Sequence, residues 1–142
     1  MSLPTTNRTV EVLRPGDDGY TTAAQGFYNT HRPVLVVRPR DAHEVAGALT
    51  HAAHHDLPVA VRSGGHSPLG HSADTGEMVI DLAHLDDVEV LDTRRRLVRV
   101  GGGATWGPVA AALDPQGWAL TAGDTADVGV GGLTLGGGIG WM

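Results

Sequence analysis

An α+β fold is what this sequence predicts: a small strand–helix–strand unit, followed by strands of a mixed or antiparallel layer with flanking helices. Three observations carry that expectation. Two compact apolar runs, Pro33 to Val37 and Val59 to Val61, bracket a helical period. Three more apolar runs follow in quick succession between residues 78 and 100. The 21 glycines cluster at 64–70, 101–103 and 129–140 instead of being spread evenly.

The first run is short and rich in valine, which reads as a buried strand that Pro39 and Arg40 end. Asp41, with Glu44 three residues on, is a capping-box variant, a carboxylate at the N-cap and Glu at N3. The helix it opens is expected to run to about Asp56 and to bury Val45, Leu49 and Ala52 or Ala53. Val59-Ala60-Val61 then completes a unit of the size of a parallel βαβ motif. Its second strand leads directly into a glycine-rich loop at 63–70, and the carboxyl ends of parallel strands are where such sheets bind ligands.

Met78 to Leu82, Asp87 to Leu91 and Leu97 to Val100 read as successive strands of the second, more antiparallel layer. Arg94-Arg95-Arg96 between them is a solvated turn. Thr105 can cap a helix carrying Val109, Ala112 and Leu113, with Pro108 tolerated in its first turn and Asp114-Pro115 ending it. Residues 1–31 form a poorly patterned lead-in, in which Asp17-Asp18-Gly19 can start a short helix carrying Tyr20, Ala24 and Phe27. The tail from Thr121 is almost entirely Gly, Thr, Val, Leu and Ala and closes on no evident element, as expected of a domain incomplete at its C-terminus.

Composition removes several chemistries. There is no cysteine, so neither a disulfide framework nor a thiolate metal site exists in these 142 residues. All ten basic residues are arginine, which excludes a lysine-bearing phosphate loop and a lysine Schiff base. The formal charge of −6 offers no basic patch for nucleic acid. The apolar runs are too short for a transmembrane helix, and the N-terminus lacks a signal-peptide core, so a cytoplasmic address and no membrane partner are expected. No G-x-S-x-G elbow is present.

Two clusters remain. In Arg62-Ser63-Gly64-Gly65-His66-Ser67, consecutive backbone N–H groups with little side chain around them suit phosphate oxygens, and Arg62, Ser63 and Ser67 add donors. A tight turn with an incidental histidine reads equally well from spacing alone. The second cluster, from Gly123 to Gly140, fails the dinucleotide pattern G-x-G-x-x-G, because Gly129 and Gly131 match but Thr134 stands at the last position. It reads as a backbone surface facing an extended cofactor, or as a packing segment. His51 and His55 are spaced for a two-ligand metal face, but a solvated helix end suits them better, and no metal is expected. His71 lies in the first glycine loop, as a cofactor contact or a structural residue.

The motifs in this order resemble a known family. Pro33, Glu44-Val45, Leu49, Val59 and Ser63-Gly64-Gly65-His66, then Val79-Ile80-Asp81-Leu82, Val98 to Gly103, Val128-Gly129-Val130-Gly131-Gly132 and Gly136-Gly137-Gly138-Ile139-Gly140 are similar to the FAD-linked oxidoreductases of the vanillyl-alcohol-oxidase/PCMH superfamily. The similarity is greatest to the berberine-bridge-enzyme-like and 6-hydroxynicotine-oxidase-like branch. It implies a PCMH-type FAD-binding domain over residues 32–142, as the N-terminal part of a longer protein. It implies FAD joined covalently to His66 through an imidazole nitrogen, with Ser63, Gly64, Gly65 and Ser67 at the pyrophosphate or flavin edge. Gly123, Thr125, Val128, Gly129 and Gly132 would line the isoalloxazine and ribityl side, with Gly138 and Gly140 close by. Some relatives add a cysteine bond to the flavin; Thr125 stands at that place here, so one bond is implied. Residue 133 is leucine where some plant members place a histidine. Hydride removal from an alcohol, amine or sugar-like carbon of a small-molecule substrate, with molecular oxygen as acceptor, is the implied reaction. The alternative is a remnant of such a domain that binds no flavin productively. No residue is marked as the acid or base.

Overall fold

In the computed structural model, which describes residues 9–28, 30–70 and 76–140, the first sheet has four short strands. They are β1 (Glu11–Leu13), β2 (Leu35–Arg38), β3 (Val59–Arg62) and β4 (Met78–Asp81), in the spatial order β1-β2-β4-β3. β4 runs parallel to both β2 and β3, with Leu35 and Val59 on either side of Met78, and β1 pairs antiparallel to β2 at the edge. The expected βαβ unit is therefore present with a strand inserted between its two strands. The sequence pattern assigns Met78 to Asp81 to the second layer; the structure makes it the inner strand of the first. All four of its residues are buried, the pattern of a parallel strand covered on both faces.

Alternation along the strands divides the core. Val36, Ala60 and Val79 face α1 (Tyr20–Ala24), where they pack with Leu13, Tyr20, Ala23 and Ala24. Leu35, Val37, Met78 and Ile80 face α2 (Ala42–His54) and meet Ala48 and Ala52. The cap of α2 is as expected: Glu44 N donates to Asp41 Oδ1 at 2.8 Å, and Glu44 Oε2 accepts from Arg40 N at 2.7 Å. Its buried stripe keeps Ala52 as expected but takes Ala48 in place of Leu49. Ala48 and Ala52 touch the sheet, Val45 is half-buried, and Leu49 is 48% exposed. Two alanines one turn apart let the helix axis approach the strands more closely than leucine would allow.

The lead-in holds more structure than its pattern suggests. β1 is tied to the sheet through Glu11, which pairs with Arg38 at 3.2 Å and hydrogen-bonds His84 at 2.7 Å, while Arg38 also reaches buried Asp81 on β4 at 2.9 Å. Burial works against the Arg38 charge, but the bond to Asp81 and the nearby carboxylates outweigh it and leave the guanidinium above its ordinary pKa. α1 ends at Ala24, so Phe27 lies beyond it and is exposed. Tyr20 donates its hydroxyl to the Pro33 carbonyl at 2.6 Å, and burial raises the pKa of its phenol.

β5 (Val88–Asp92) and β6 (Leu97–Val100) form an antiparallel hairpin. Asp92 Oδ1 accepts from Arg94 N and Arg95 N, both at 2.9 Å, so the arginine cluster is the expected turn. Helix α3 (Trp106–Leu113) covers the hairpin through Val109 and Leu113, which pack with Val88, Val98 and Val100. Thr105 precedes α3 but its hydroxyl makes no cap bond; its backbone bridges to Gly129 instead. Ala112 is only half-buried. The glycine-rich tail contains a helix that its composition does not announce, α4 (Val130–Gly136). Among the described residues, no helix is long and apolar enough to cross a membrane.

Candidate functional site

The first glycine turn leaves the carboxyl end of β3 and is held from three sides. Arg62 turns back beneath it, its Nη1 hydrogen-bonded to the Ala23 carbonyl and, at 3.3 Å, to that of Thr22, in the last turn of α1. Burial lowers the pKa of this guanidinium, Asp81 acting to raise it and Arg38 to lower it further; arginine nonetheless stays charged. Gly65 lies over the guanidinium with φ +72, and a Cβ there would stand 3.0 Å from Arg62 Nε. Ser63 Oγ donates to the Gly102 carbonyl at 2.7 Å.

The third side is the segment that precedes α4. It runs along residues 104–107, with Trp106 N donating to Val128 O at 3.1 Å, Gly107 N to Ala126 O at 2.7 Å and Val130 N to Ala104 O at 2.9 Å. Its other edge meets the first turn, backbone on backbone. A Cβ on Gly64 would land on Gly129 N and 2.9 Å from Asp127 O, and one on Gly129 would land on Gly64 N and 2.8 Å from Ser63 Cβ. These two glycines are required by each other: only bare backbone permits the approach.

His66 projects where the two loops meet. Its ring stacks on Phe27 with centroids 4.5 Å apart and planes 20° from parallel, and Phe27 N donates to Gly65 O at 2.9 Å. Its Nε2 stands 3.5 Å from Asp127 Oδ2; the His66 side chain is 16% exposed and that of Asp127 68%. The imidazole is thus enclosed on a face and an edge while its carboxylate neighbour faces solvent. Among the described residues, the backbone N–H groups of Gly64, Gly65 and His66 have no hydrogen-bond acceptor. Consecutive amides of this kind, with one residue in the left-handed region, suit an anion.

Most of the residues expected at the site fall into two groups. Arg62, Ser63, Gly64, Gly65, His66, Val128 and Gly129 come together at the junction of the loops, with Ser67 next on the turn. Gly123 and Thr125 line a cavity of about 370 Å³ against α3, and Gly123, Gly138 and Gly140 line a second of about 360 Å³. The cavities share Trp106, whose indole nitrogen is buried without a hydrogen-bond partner among the described residues. Gly132 is exposed on α4, and a Cβ there would meet nothing within 4 Å. His71 lies outside the described residues. His51 and His55 stand ring to ring at 4.4 Å on the exposed side of α2, and no group of three metal-ligating residues occurs among the described residues. Phe27, Trp106 and Asp127 are the participants that the sequence does not single out. The one available signal for Asp127 is that it and Asp124 are the two carboxylates in a tail made mostly of glycine, threonine and apolar residues.

Residues 33–142 match the model of the FAD-binding domain family. The chain belongs to that family. It is 34% identical over 134 residues to (R)-6-hydroxynicotine oxidase of Paenarthrobacter nicotinovorans, covering 93% of this chain and 29% of that protein. It is 40% identical over 109 residues to an FAD-dependent monooxygenase of Fusarium proliferatum, covering 76% of this chain and 21% of that protein. The crystal structure of 6-hydroxy-D-nicotine oxidase from Arthrobacter nicotinovorans superposes with a TM-score of 0.87 at 33% identity, over 98% of this chain and 31% of that one. Glucooligosaccharide oxidase from Acremonium strictum superposes with a TM-score of 0.83 at 28% identity, over 93% and 28%. The chain spans less than a third of the length of these relatives. The fold is the PCMH-type FAD-binding fold, and the family is one of FAD-linked oxidoreductases, as the motif order implied.

Proposed function

We propose that this FAD-binding domain holds its flavin covalently through His66 and serves an oxidoreductase that removes hydride from an alcohol, amine or sugar-like carbon and passes the electrons to oxygen. The observation that carries this reading is the placement of His66. It is the one imidazole, among the described residues, at the junction of the two glycine loops, at the carboxyl end of a parallel strand, beside backbone amides that lack acceptors. These amides suit the cofactor's pyrophosphate, and the chain's own residues therefore fit FAD.

Gly64, Gly65, His66 and Ser67 would hold the cofactor from the first loop. Val128, Gly129 and Gly132 would hold it from the second, with Gly123, Thr125, Gly138 and Gly140 along the cavities that meet at Trp106. Arg62 and Ser63 act from behind: Arg62 Nη1 is engaged by α1 and Ser63 Oγ by Gly102, so they fix the turn's shape. The flavin supplies the redox chemistry, and the protein supplies position and electrostatics. A histidyl substituent withdraws electrons from the ring, which favours hydride removal. The flavin of the Acremonium glucooligosaccharide oxidase is described as 6-S-cysteinyl, 8α-N1-histidyl FAD. This chain has no cysteine, and the resemblance puts Thr125 in the place of that second bond, which supports a single attachment.

The test is direct. The complete gene product, made with FAD and then denatured in acid, is expected to keep yellow colour and flavin fluorescence on the polypeptide, and His66→Ala is expected to lose both. Flavin that washes off the denatured wild type would show the attachment to be noncovalent.

A further inference from the structure

We infer that Asp127 is the positioning residue for flavin attachment: it holds the Nε2–H edge of His66 and leaves Nδ1 as the nitrogen that bonds to the flavin. This deepens the covalent reading of His66 and rests on it. The geometry is that of an imidazole met on a face and at an edge. Phe27 stacks on its face at 4.5 Å and sets the ring plane. Asp127 Oδ2 stands 3.5 Å from Nε2, at the ring edge, the one carboxylate beside that nitrogen among the described residues. A neutral imidazole carries one N–H and one lone pair, and a carboxylate at one nitrogen draws the proton to that side. The lone pair is then on Nδ1.

Asp127 is itself placed by backbone contacts on both sides. Its carbonyl lies against Gly64, one residue before the turn's left-handed glycine, and its chain neighbours, Ala126 and Val128, accept hydrogen bonds from Gly107 N and Trp106 N. The Asp127 side chain therefore has a fixed origin beside His66, while its 68% exposure leaves it in contact with solvent.

One C–H bond of the flavin 8α-methyl and the N–H bond of His66 break, and one C–N bond forms. The two protons and two electrons released pass to dioxygen, giving hydrogen peroxide. As Nδ1 forms its bond the ring becomes cationic, and the Asp127 carboxylate stabilises that charge until the Nε2 proton leaves. An amide at position 127 keeps the shape but not the charge.

The experiment uses the complete gene product made without FAD and then mixed with it. Bound flavin before denaturation reports occupancy, and flavin kept by the denatured polypeptide reports covalent attachment against time. Asp127→Asn is expected to slow attachment at least about tenfold at equal occupancy, the scale of losing a positioned charge at a proton-transferring group. Asp127→Glu, which keeps the carboxylate, is expected to recover part of that rate. NMR of the flavin-bearing peptide is expected to show the Nδ1 linkage. Equal rates for wild type and Asp127→Asn would overturn the role of Asp127 while leaving covalent attachment in place. An Nε2 linkage in the wild type would overturn it whatever the variants do, including variants that fail to fold. A wild type that keeps no flavin after denaturation would overturn the covalent reading itself, and this inference with it.

Discussion

Gly64→Ala puts a methyl group where the structure has another loop's backbone. The added carbon would lie on Gly129 N and 2.9 Å from Asp127 O, with no flexible side chain present to give way. The loops must part by a substantial fraction of an atomic diameter, and the interior is packed too tightly to absorb that locally. Overpacking of this kind costs about 1–3 kcal/mol, and the upper end applies where both partners are main chain. At roughly 3–4 °C per kcal/mol for a domain of this size, thermal unfolding should fall by about 10 °C. Gly132→Ala is the matched control, since nothing lies within 4 Å of its added carbon and the position is inside helix α4. There alanine should be neutral or stabilising by up to about 1 kcal/mol. Urea and thermal denaturation of both variants measure the difference. The Gly64→Ala, Gly129→Ala double variant should be less destabilised than the sum of the singles, because the first substitution already separates the loops. A Gly64→Ala protein as stable as Gly132→Ala would refute the interlocked-loop account.

Other substitutions test the scaffold beneath the site. Asp81→Ala should lose about 3 kcal/mol in urea denaturation, because Arg38 Nε is left without its buried partner although Glu11 remains at 3.2 Å. Leu49→Ala should cost less than about 1 kcal/mol, since the side chain is half exposed, whereas Met78→Ala, fully buried, should cost about 2–5 kcal/mol. The Glu11 carboxyl is held below its ordinary value of 4.5, first by the hydrogen bond from His84 and, against burial, by Arg38. A depressed carboxylate contributes stability that is present above the unfolded value and is lost as pH falls through the folded one. The stability advantage of wild type over Glu11→Gln should therefore hold at about pH 6 and shrink below about pH 4.5, read by denaturant titration at each pH. A gap unchanged by acid would contradict it.

What is legible in the sequence is local. The Asp41 and Glu44 cap of α2, the Arg94-Arg95-Arg96 turn and the Ser-Gly-Gly-His turn each depend on residues within a few positions of one another, and each is where the pattern places it. The place of β4 depends on which strands flank it, a tertiary choice that a run such as Met78 to Asp81 cannot state except through its unbroken apolar character. Leu49 departs from its expected burial because a hydrophobic stripe drawn on the helix favours the larger residue, while the sheet selects the alanines beside it. Helix α4 is hidden by three glycines among seven residues, a composition of low helix propensity that packing and the Gly129 junction override. Within the site, the histidine stands out because glycine and serine frame it. Phe27 and Asp127 do not, because both reach His66 across long sequence separations and neither belongs to a motif.

Which atom of the polypeptide carries the cofactor decides between the covalent reading and its rivals. Proteolysis of the denatured, FAD-loaded gene product followed by tandem mass spectrometry locates it. Attachment through the first glycine turn predicts one flavin-bearing peptide, with the added mass on His66. A flavin mapped to His71 in the same loop, or peptides covering His66 with no added mass at all, would contradict it.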